Sequence, residues 1–310
     1  MNIIISIVIV TYNRVNDLDR ALESLQNVNF NSKNMEILVA DNSDNQETEK
    51  LIHEKYRDVR YYKMPQNLGV CVPRNNMTEK AYGKYIYFMD DDAWVSKNVF
   101  DNIVDILEGS KKLWAISSKT YFVKNDGTIL TDEFQWPEKH LMMLLFENGI
   151  LVKKDIFLEL GGFNKNIFYG AEGEDLALRA YYHGFYSIRF MKSVAFHPSS
   201  CNKSYNRESS IKVMLSRMIS AVTSWPFPYN ILRIFKTITI NLFKMAIENK
   251  DIGIIPGLLK NINKVLFLKR YKNISLSRFK QFRDLCQRID EINSDKDLDN
   301  LMKREKINEW

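Results

Sequence analysis

The sequence predicts an α/β fold, a mostly parallel sheet flanked by helices, with a helical region added at its C-terminal end. Three observations carry this expectation. Short apolar, β-branched runs alternate with helical patterns through the first 120 residues, which is the rhythm of parallel strands joined by crossover helices. Polar residues gather where those runs stop, and sheets of this kind bind ligands at the carboxyl ends of their strands. From Tyr205 onward the pattern changes to long apolar stretches studded with Lys and Arg. At 310 residues, 45% hydrophobic and 26% charged, the chain has enough apolar material for a sizeable core. The change of character divides it into a sheet-bearing region, 1–204, and a basic amphipathic helical region, 205–310.

The elements follow in order. "ISIVIVTYN" (5–13) reads as a strand; its apolar run is too short to span a bilayer. "RVNDLDRALESLQN" (14–27) puts Val15, Leu18, Ala21, Leu22 and Leu25 on one helical face, with Asn16 or Asp17 as the cap. "MEILVADNS" (35–43) is a second strand, 46–56 a second helix and "VRYYKM" (59–64) a third strand. The polar turn "PQNLGVCVPRNN" (65–76) leads to a short helix near 73–82 and the strand "KYIYFM" at 84–89. "LWAISSKTYFV" (113–123) is another strand, and 126–140 reads as a polar loop containing Trp136 and Pro137. "ENGILVKKDIFLELGGF" (147–163) gives a strand, then a short helix closed by Gly161 and Gly162. "AEGEDLALRAYYHGF" (171–185) is a helix with an acidic start and Gly184 as its stop. "YSIRFMKSVAFHP" (186–198) is the last strand.

The charge is uneven. Net charge is +6, yet residues 201–310 hold 21 basic against 11 acidic side chains and residues 1–200 hold 23 against 27. Opposite signs in the two regions suggest two tasks. Cys71, Cys201 and Cys286 are odd in number and far apart, which fits neither a disulfide framework nor a zinc pattern and points to a reducing, cytoplasmic compartment. The N-terminus lacks the layout of a signal peptide. No nucleic-acid-binding module is recognisable.

"YIYFMDDDAW" (85–94) carries the chemistry. A buried strand runs into three consecutive carboxylates, which repel one another and raise each other's proton affinity. A divalent cation offsets that repulsion, because Mg²⁺ and Mn²⁺ prefer oxygen ligands and bridge carboxylates to a substrate's phosphates. A solvated turn is the ordinary explanation of an isolated acidic triplet. The buried strand before it and the Trp94 after it argue for a site. Thr11, Tyr12, Asn13, Arg14, Asp41, Ser43, Asp44 and Asp90 to Asp92 all fall at strand ends that one crevice can collect.

With these residues in view, the chain resembles the family 2 glycosyltransferases of the GT-A fold, a Rossmann-like nucleotide-diphospho-sugar transferase architecture, and most of all its bacterial rhamnosyltransferase-like members that build surface polysaccharides. "VIVTYNR", "VADNSD", "NLGVCVPRNN", "YFMDDDAW", "GGFN", "AEGEDLALR" and "AFHPSS" occur in the family's order and approximate spacing across residues 4–200. The resemblance implies an inverting transfer of a sugar from a nucleoside diphosphate to an acceptor hydroxyl, assisted by Mn²⁺ or Mg²⁺. It implies that Thr11, Tyr12 and Arg14 border the nucleotide, that Asp41 meets the base with Ser43 nearby, and that Arg74 lies by the nucleotide and its phosphates. Asp90 is expected at the ribose or the metal, Asp91 at the variable middle position, and Asp92 as the main carboxylate ligand. His197 stands where many members place a metal-binding His.

The expected general base lies in "AEGEDLALR", where the chain departs from the family. The common form is Glu-Asp-x-Asp-Leu; aligning on "DLALR" puts Glu172 at the first acid and Gly173 at the base, whereas a shift of one makes Glu174 and Asp175 the pair. The order of preference is Glu174, Asp175, Glu172, with complementation of the helix N-terminus as the plain alternative. Trp94, Trp136, Trp225 and the Gly161–Gly162 pair are secondary candidates for lining a sugar pocket; core packing and a helix stop account for them as well.

The C-terminal stretches "IKVMLSRMISAV", "ILRIFKTITINLFKMAIEN" and "IIPGLLKNINKVLFLKRYK" are apolar and basic, with the rigid turn "WPFPY" (225–229) between two of them. This fits helices lying on an anionic membrane, on the inner face of the cell membrane, where a glycan or lipid-linked acceptor would be met. A helical appendage packed on the sheet region, or on a second copy in a homodimer, is the competing expectation. Phosphoryl or nucleotidyl transfer is disfavoured by the lack of a GxxxxGK[ST] loop. A non-catalytic nucleotide-sugar-binding or membrane-associated relative is the alternative function that Gly173 keeps open.

Overall fold

β1 (Ile5–Thr11) is buried along its whole length and pairs in parallel with β2 (Met35–Asp41) on one side and β4 (Tyr85–Asp90) on the other. A strand shielded on both faces needs apolar residues in both alternating sets. The computed structural model, which describes residues 3–130, 137–141, 148–199, 206–243, 251, 254–266, 268–271 and 274–285, shows where they go. Ile5, Ile7 and Ile9 enter one core with Leu18, Ala21, Leu22 and Leu25 of α1 (Val15–Gln26). Val8 and Val10 enter a second core on the opposite face with Cys71 and Met77 of α3 (Cys71–Lys80). Each fully buried side chain of this size contributes about 1.5–3 kcal/mol, so β1 anchors both layers at once.

β3 (Arg60–Lys63), preceded by α2 (Glu47–Lys55), completes a parallel edge beyond β2. The other half of the sheet is mixed. β9 (Ile150–Lys153) inserts antiparallel between β4 and the long β6 (Leu113–Val123). β10 (Tyr186–Pro198) pairs in parallel with β6, and the two-residue β5 (Trp94–Val95) closes antiparallel on β10. The order is β3-β2-β1-β4-β9-β6-β10-β5. An apolar run such as "ILVK" records burial but not strand direction, so the antiparallel insertions are an addition to the expected sheet flanked by helices.

Two local expectations are corrected. The segment expected as a loop over 126–140 holds β7 (Ile129–Leu130), which pairs with β6, and the start of β8 (Lys139–Leu141), which pairs with β10; Trp136 lies outside the described residues. The cap of α1 is Arg14, with no side-chain cap bond, rather than Asn16 or Asp17. Asn13 takes a left-handed φ of 54°, which lets the helix begin at Val15 and leaves the Arg14 guanidinium for other partners.

α4 (Ile103–Glu108) backs β6, and α5 (Lys154–Glu159) follows β9. α6 (Glu172–Tyr182) feeds both cores: Leu176, Ala177 and Ala180 enter the second, Leu178, Tyr181 and Tyr182 the first. The C-terminal helices pack on this body. α7 (Arg207–Ser224) puts Met214, Leu215, Met218 and Ile219 into the second core. α8 (Tyr229–Phe243) and α9 (Ile254–Asn261) pack on α7, as does the short α10 (Asn263–Leu266). α11 (Leu276–Leu285) returns Phe279, Phe282 and Leu285 to the first core.

Candidate active site

The strand ends converge as the alternation predicts. β4 stops at Asp90, and the chain turns through Asp91 and Asp92. Asp91 is turned inward: its carboxylate accepts from the Thr11 hydroxyl at 2.8 Å and from the Arg14 guanidinium at 3.1 Å. Burial pushes its carboxyl up to about 6, against the pull of Arg14 and with a further push from Asp92. Arg14 also reaches Asp92 at 2.9 Å. Asp91 thus braces the turn, while Asp90 and Asp92 are the carboxylates turned towards His197.

His197 arrives on β10. Its Nε2 is 3.1 Å from Asp92 Oδ1 and 3.8 Å from Asp90 Oδ2. Its Nδ1 lies 2.7 Å from the Pro198 carbonyl oxygen, so Nδ1 carries a proton; Nε2 donates to Asp92 when the ring is charged, and in the neutral ring its lone pair is the one available to a cation. Burial opposes the charged ring, but the Asp92 and Asp90 carboxylates outweigh it and raise its basicity. One ligand atom from each of Asp90, Asp92 and His197 lies within 4.8 Å of the others. Two carboxylate oxygens and an imidazole nitrogen suit Mn²⁺ or Mg²⁺, so the residues present fit the cation.

Behind Asp90 sits Arg74, buried, with its guanidinium near the Phe88 and Phe163 rings. Nη2 donates to Asp90 Oδ1 at 2.7 Å, and Nη1 lies 3.8 Å from Glu172 Oε1. The structure therefore places Arg74 beneath two carboxylates rather than on the open surface of the crevice. Glu172 is the first residue of α6, buried, and its Oε2 has no hydrogen-bond partner. Burial raises its pKa above the ordinary glutamate range, against the pull of Arg74.

These groups share a crevice of ≈ 520 Å³, a size suited to a small ligand. Thr11, Tyr12 and Arg14 line it from the end of β1, Asp90 to Asp92 and His197 from the sheet, and Glu172 from α6. Other lining residues were not singled out from sequence: Asn42, Asn67, Gly69 and Val70 after β2 and β3, Phe168 to Gly170 before α6, and Ser209 and Lys212 from α7. The glycines in "NLG" and "FYGAEG" are the only signal pointing to the turns. Gly69 has a φ of +73°, and a Cβ there would run into the Phe168 carbonyl oxygen. No local pattern ties α7, 40 residues further on, to the same cavity.

The remaining predicted residues stand apart from the lining. Asp41 is fully buried and accepts from Tyr61 and Lys63 at 2.8 and 2.9 Å and from the Ser43 amide at 2.8 Å. Ser43 Oγ accepts from the Asn13 amide. Glu174 faces away, paired with Arg233 of α8 at 2.8 Å. Asp175 is fully buried and accepts from Arg179, Thr223 and Ser224. Trp94 stacks on Phe196 at 5.7 Å beneath Arg20, and Trp225 packs on Phe279. Gly162 closely approaches the Asn75 side chain, whose amide clamps the Phe163 backbone in both directions.

Residues 6–166 match the sequence profile of Glycosyl transferase family 2. The chain belongs to that family. It is 27% identical over 178 residues to WfaP of Escherichia coli, named a UDP-Glc:alpha-D-GlcNAc-diphosphoundecaprenol beta-1,3-glucosyltransferase, covering 56% of this chain and 68% of that protein. It is 30% identical over 141 residues to an uncharacterized glycosyltransferase of Methanocaldococcus jannaschii, covering 44% of this chain and 48% of that one. The chain thus spans about half the length of the latter. Among solved structures, GalNAc-T7 with UDP, GalNAc and Mn²⁺ superposes with a TM-score of 0.63 at 15% identity, over 91% of this chain and 56% of that one. Staphylococcus aureus TarS with UDP does so with 0.59 at 16%, over 90% and 81%. These two likenesses establish the fold.

Proposed function

We propose that this family 2 member is an inverting glycosyltransferase that moves a sugar from a nucleoside-diphosphate donor to an acceptor hydroxyl in cell-surface polysaccharide or glycolipid synthesis. The observation that carries the reading is the convergence of Asp90, Asp92 and His197 with Glu172 on one crevice. A divalent cation held by Asp90, Asp92 and His197 would neutralise the charge that develops on the leaving diphosphate.

The chain's own groups supply the rest. Thr11, Tyr12 and Arg14 border the nucleotide, and Asp41 and Ser43 shape the β2 end behind it. Lys212, paired with Glu208 at 2.6 Å, adds a cation to the crevice wall. Glu172 is the acid of α6 that lines the cavity, so it takes the acceptor's proton as the hydroxyl attacks; a base for this step requires reach first and a matched pKa second. Arg74, bonded to Asp90 and close to Glu172, fixes their separation. This reading gives Glu172 the role that sequence preference gave first to Glu174. The relatives' names support a glycan or lipid-linked acceptor, and with it a cytoplasmic site of action on the inner face of the cell membrane. Residues 1–204 are taken as the catalytic region and 205–310 as the helical one.

The test is thermal-shift binding of UDP, GDP and dTDP, each with and without Mn²⁺. Stabilisation by one nucleotide that requires the metal is the expected result. No stabilisation by any of them, in a folded sample, would overturn the reading.

A further inference from the structure

α8 is apolar on the side it turns away from the protein. Ile231, Leu232, Phe235, Ile240 and Phe243 are 52–67% exposed, and Phe227 just before the helix is equally open. Its inward side is satisfied: Ile234 and Ile238 pack on the second core, and Arg233 is held by Glu174 at 2.8 Å. Five large apolar side chains share the outward side of a 15-residue helix with the exposed Lys236 and Thr239, and apolar faces of this kind mark interaction surfaces.

Charge decides what covers it. Residues 229–243 and 254–266 contain Arg233, Lys236, Lys260 and Lys264 and no acidic residue. Lys236 is exposed and, at 100° per residue, falls between Leu232 and Ile240 on the apolar face. Against a second copy of the same face, that ammonium would be buried opposite like charge. At an anionic bilayer its stem lies along the apolar surface while the head reaches phosphate. Within its described residues α8 carries Arg233 and Lys236, and no described helix is long and apolar enough to cross a membrane, which suits an in-plane position.

We propose that the outward face of α8 docks the enzyme on an anionic lipid bilayer, with Leu232, Phe235 and Phe243 inserted below the headgroups; the benefit to catalysis rests on the transferase reading, the docking itself does not. The Arg233–Glu174 pair on the inward side of α8 ties that helix to α6, whose first residue, Glu172, lines the crevice.

The test is sedimentation of the full chain with vesicles of phosphatidylcholine alone or with phosphatidylglycerol, alongside light scattering for oligomeric state. The chain is expected to bind the anionic vesicles, with binding that weakens as salt rises. The combined variant Leu232→Ser, Phe235→Ser, Phe243→Ser should lose at least about a hundredfold in partitioning while keeping its melting temperature. Lys236→Glu, which leaves the apolar face intact, should lose about tenfold on anionic vesicles only. Unchanged vesicle binding in both variants overturns the proposal. So does a parent that ignores vesicles, and a dimer that the triple variant converts to a monomer would then assign the face to self-association. Vesicle binding without any nucleotide response would instead retain the docking face and remove the transferase reading.

Discussion

Glu172 and Glu174 stand two residues apart on α6 and face different surroundings. Glu172 lines the crevice with one carboxylate oxygen free of hydrogen bonds, whereas Glu174 is turned to Arg233 on α8. Successive even positions on a helix lie about 200° apart, so the two acids cannot serve the same cavity. Glu172→Gln is expected to lower kcat by about 10²–10⁴-fold with nucleotide-dependent thermal stabilisation intact. Glu174→Gln should leave transfer within a few-fold of the parent. The reverse pattern would move the base to Glu174.

Burial of Glu172 has a sign that stability measurements can read. Its pKa is raised in the folded protein, so the fold binds the proton more tightly than the unfolded chain does. Stability from this group is fully present below the unfolded value of 4.5 and is lost as pH rises through the raised value. Glu172→Gln should therefore melt higher than the parent at neutral pH in a chelator, and converge with it near pH 4. A base must be ionised, so kcat/KM should fall on acidification along a limb lying above the ordinary glutamate range. An activity profile flat down to pH 4 would remove Glu172 from the proton transfer.

Asp92→Asn tests the metal. Losing several kcal/mol of charge stabilisation corresponds to a drop of about 10²–10³ in rate. Binding of UDP, GDP or dTDP in the variant should no longer respond to Mn²⁺, while vesicle binding through α8 persists. Normal metal-dependent transfer in the variant would exclude the role.

Asp175 is bound into a buried network. It is fully buried, accepts from Arg179, Thr223 and Ser224, and Arg179 in turn donates to the Leu160 and Gly162 carbonyl oxygens. Asp175→Ala leaves the Arg179 guanidinium uncompensated and should cost about 3–5 kcal/mol, read as a lower denaturation midpoint. A fully stable variant would contradict this account.

Gly69→Ala should disturb the crevice from its rim. The left-handed φ of +73° and the Phe168 carbonyl both oppose a Cβ, which costs of order 1–3 kcal/mol. The expected outcome is weaker nucleotide binding with the Asp90, Asp92 and His197 cluster still able to take Mn²⁺.

Much of the fold is legible because periodicity reports burial. The strands Leu113–Val123 and Tyr186–Pro198 coincide with the runs read from sequence, and Leu18, Ala21, Leu22 and Leu25 form the buried face of α1. Residues at strand ends, such as Thr11, Arg14 and Asp90 to Asp92, could be grouped because topology fixes where those ends lie. The choice between Glu172 and Glu174 was not legible, since it depends on the rotation of α6, which the packing of Leu176 and Leu178 into two different cores sets. The direction of β9 and the arrival of Ser209 and Lys212 at the crevice are likewise long-range outcomes, with no local pattern to announce them.

α7 carries a consequence for how this architecture can be inherited. Met214, Met218 and Ile219 complete one core, Thr223 and Ser224 close the network at Asp175, and Ser209 and Lys212 wall the crevice. A recombination event that exchanged the chain at residue 204 would strip the sheet region of packing, of a hydrogen-bond anchor and of part of its substrate cavity in one step. The family 2 profile ends at residue 166, before α7 begins. In this lineage, drift in residues 207–224 is therefore bound to the first 200 residues, while the outward side of α8 is free to change with the surface it meets.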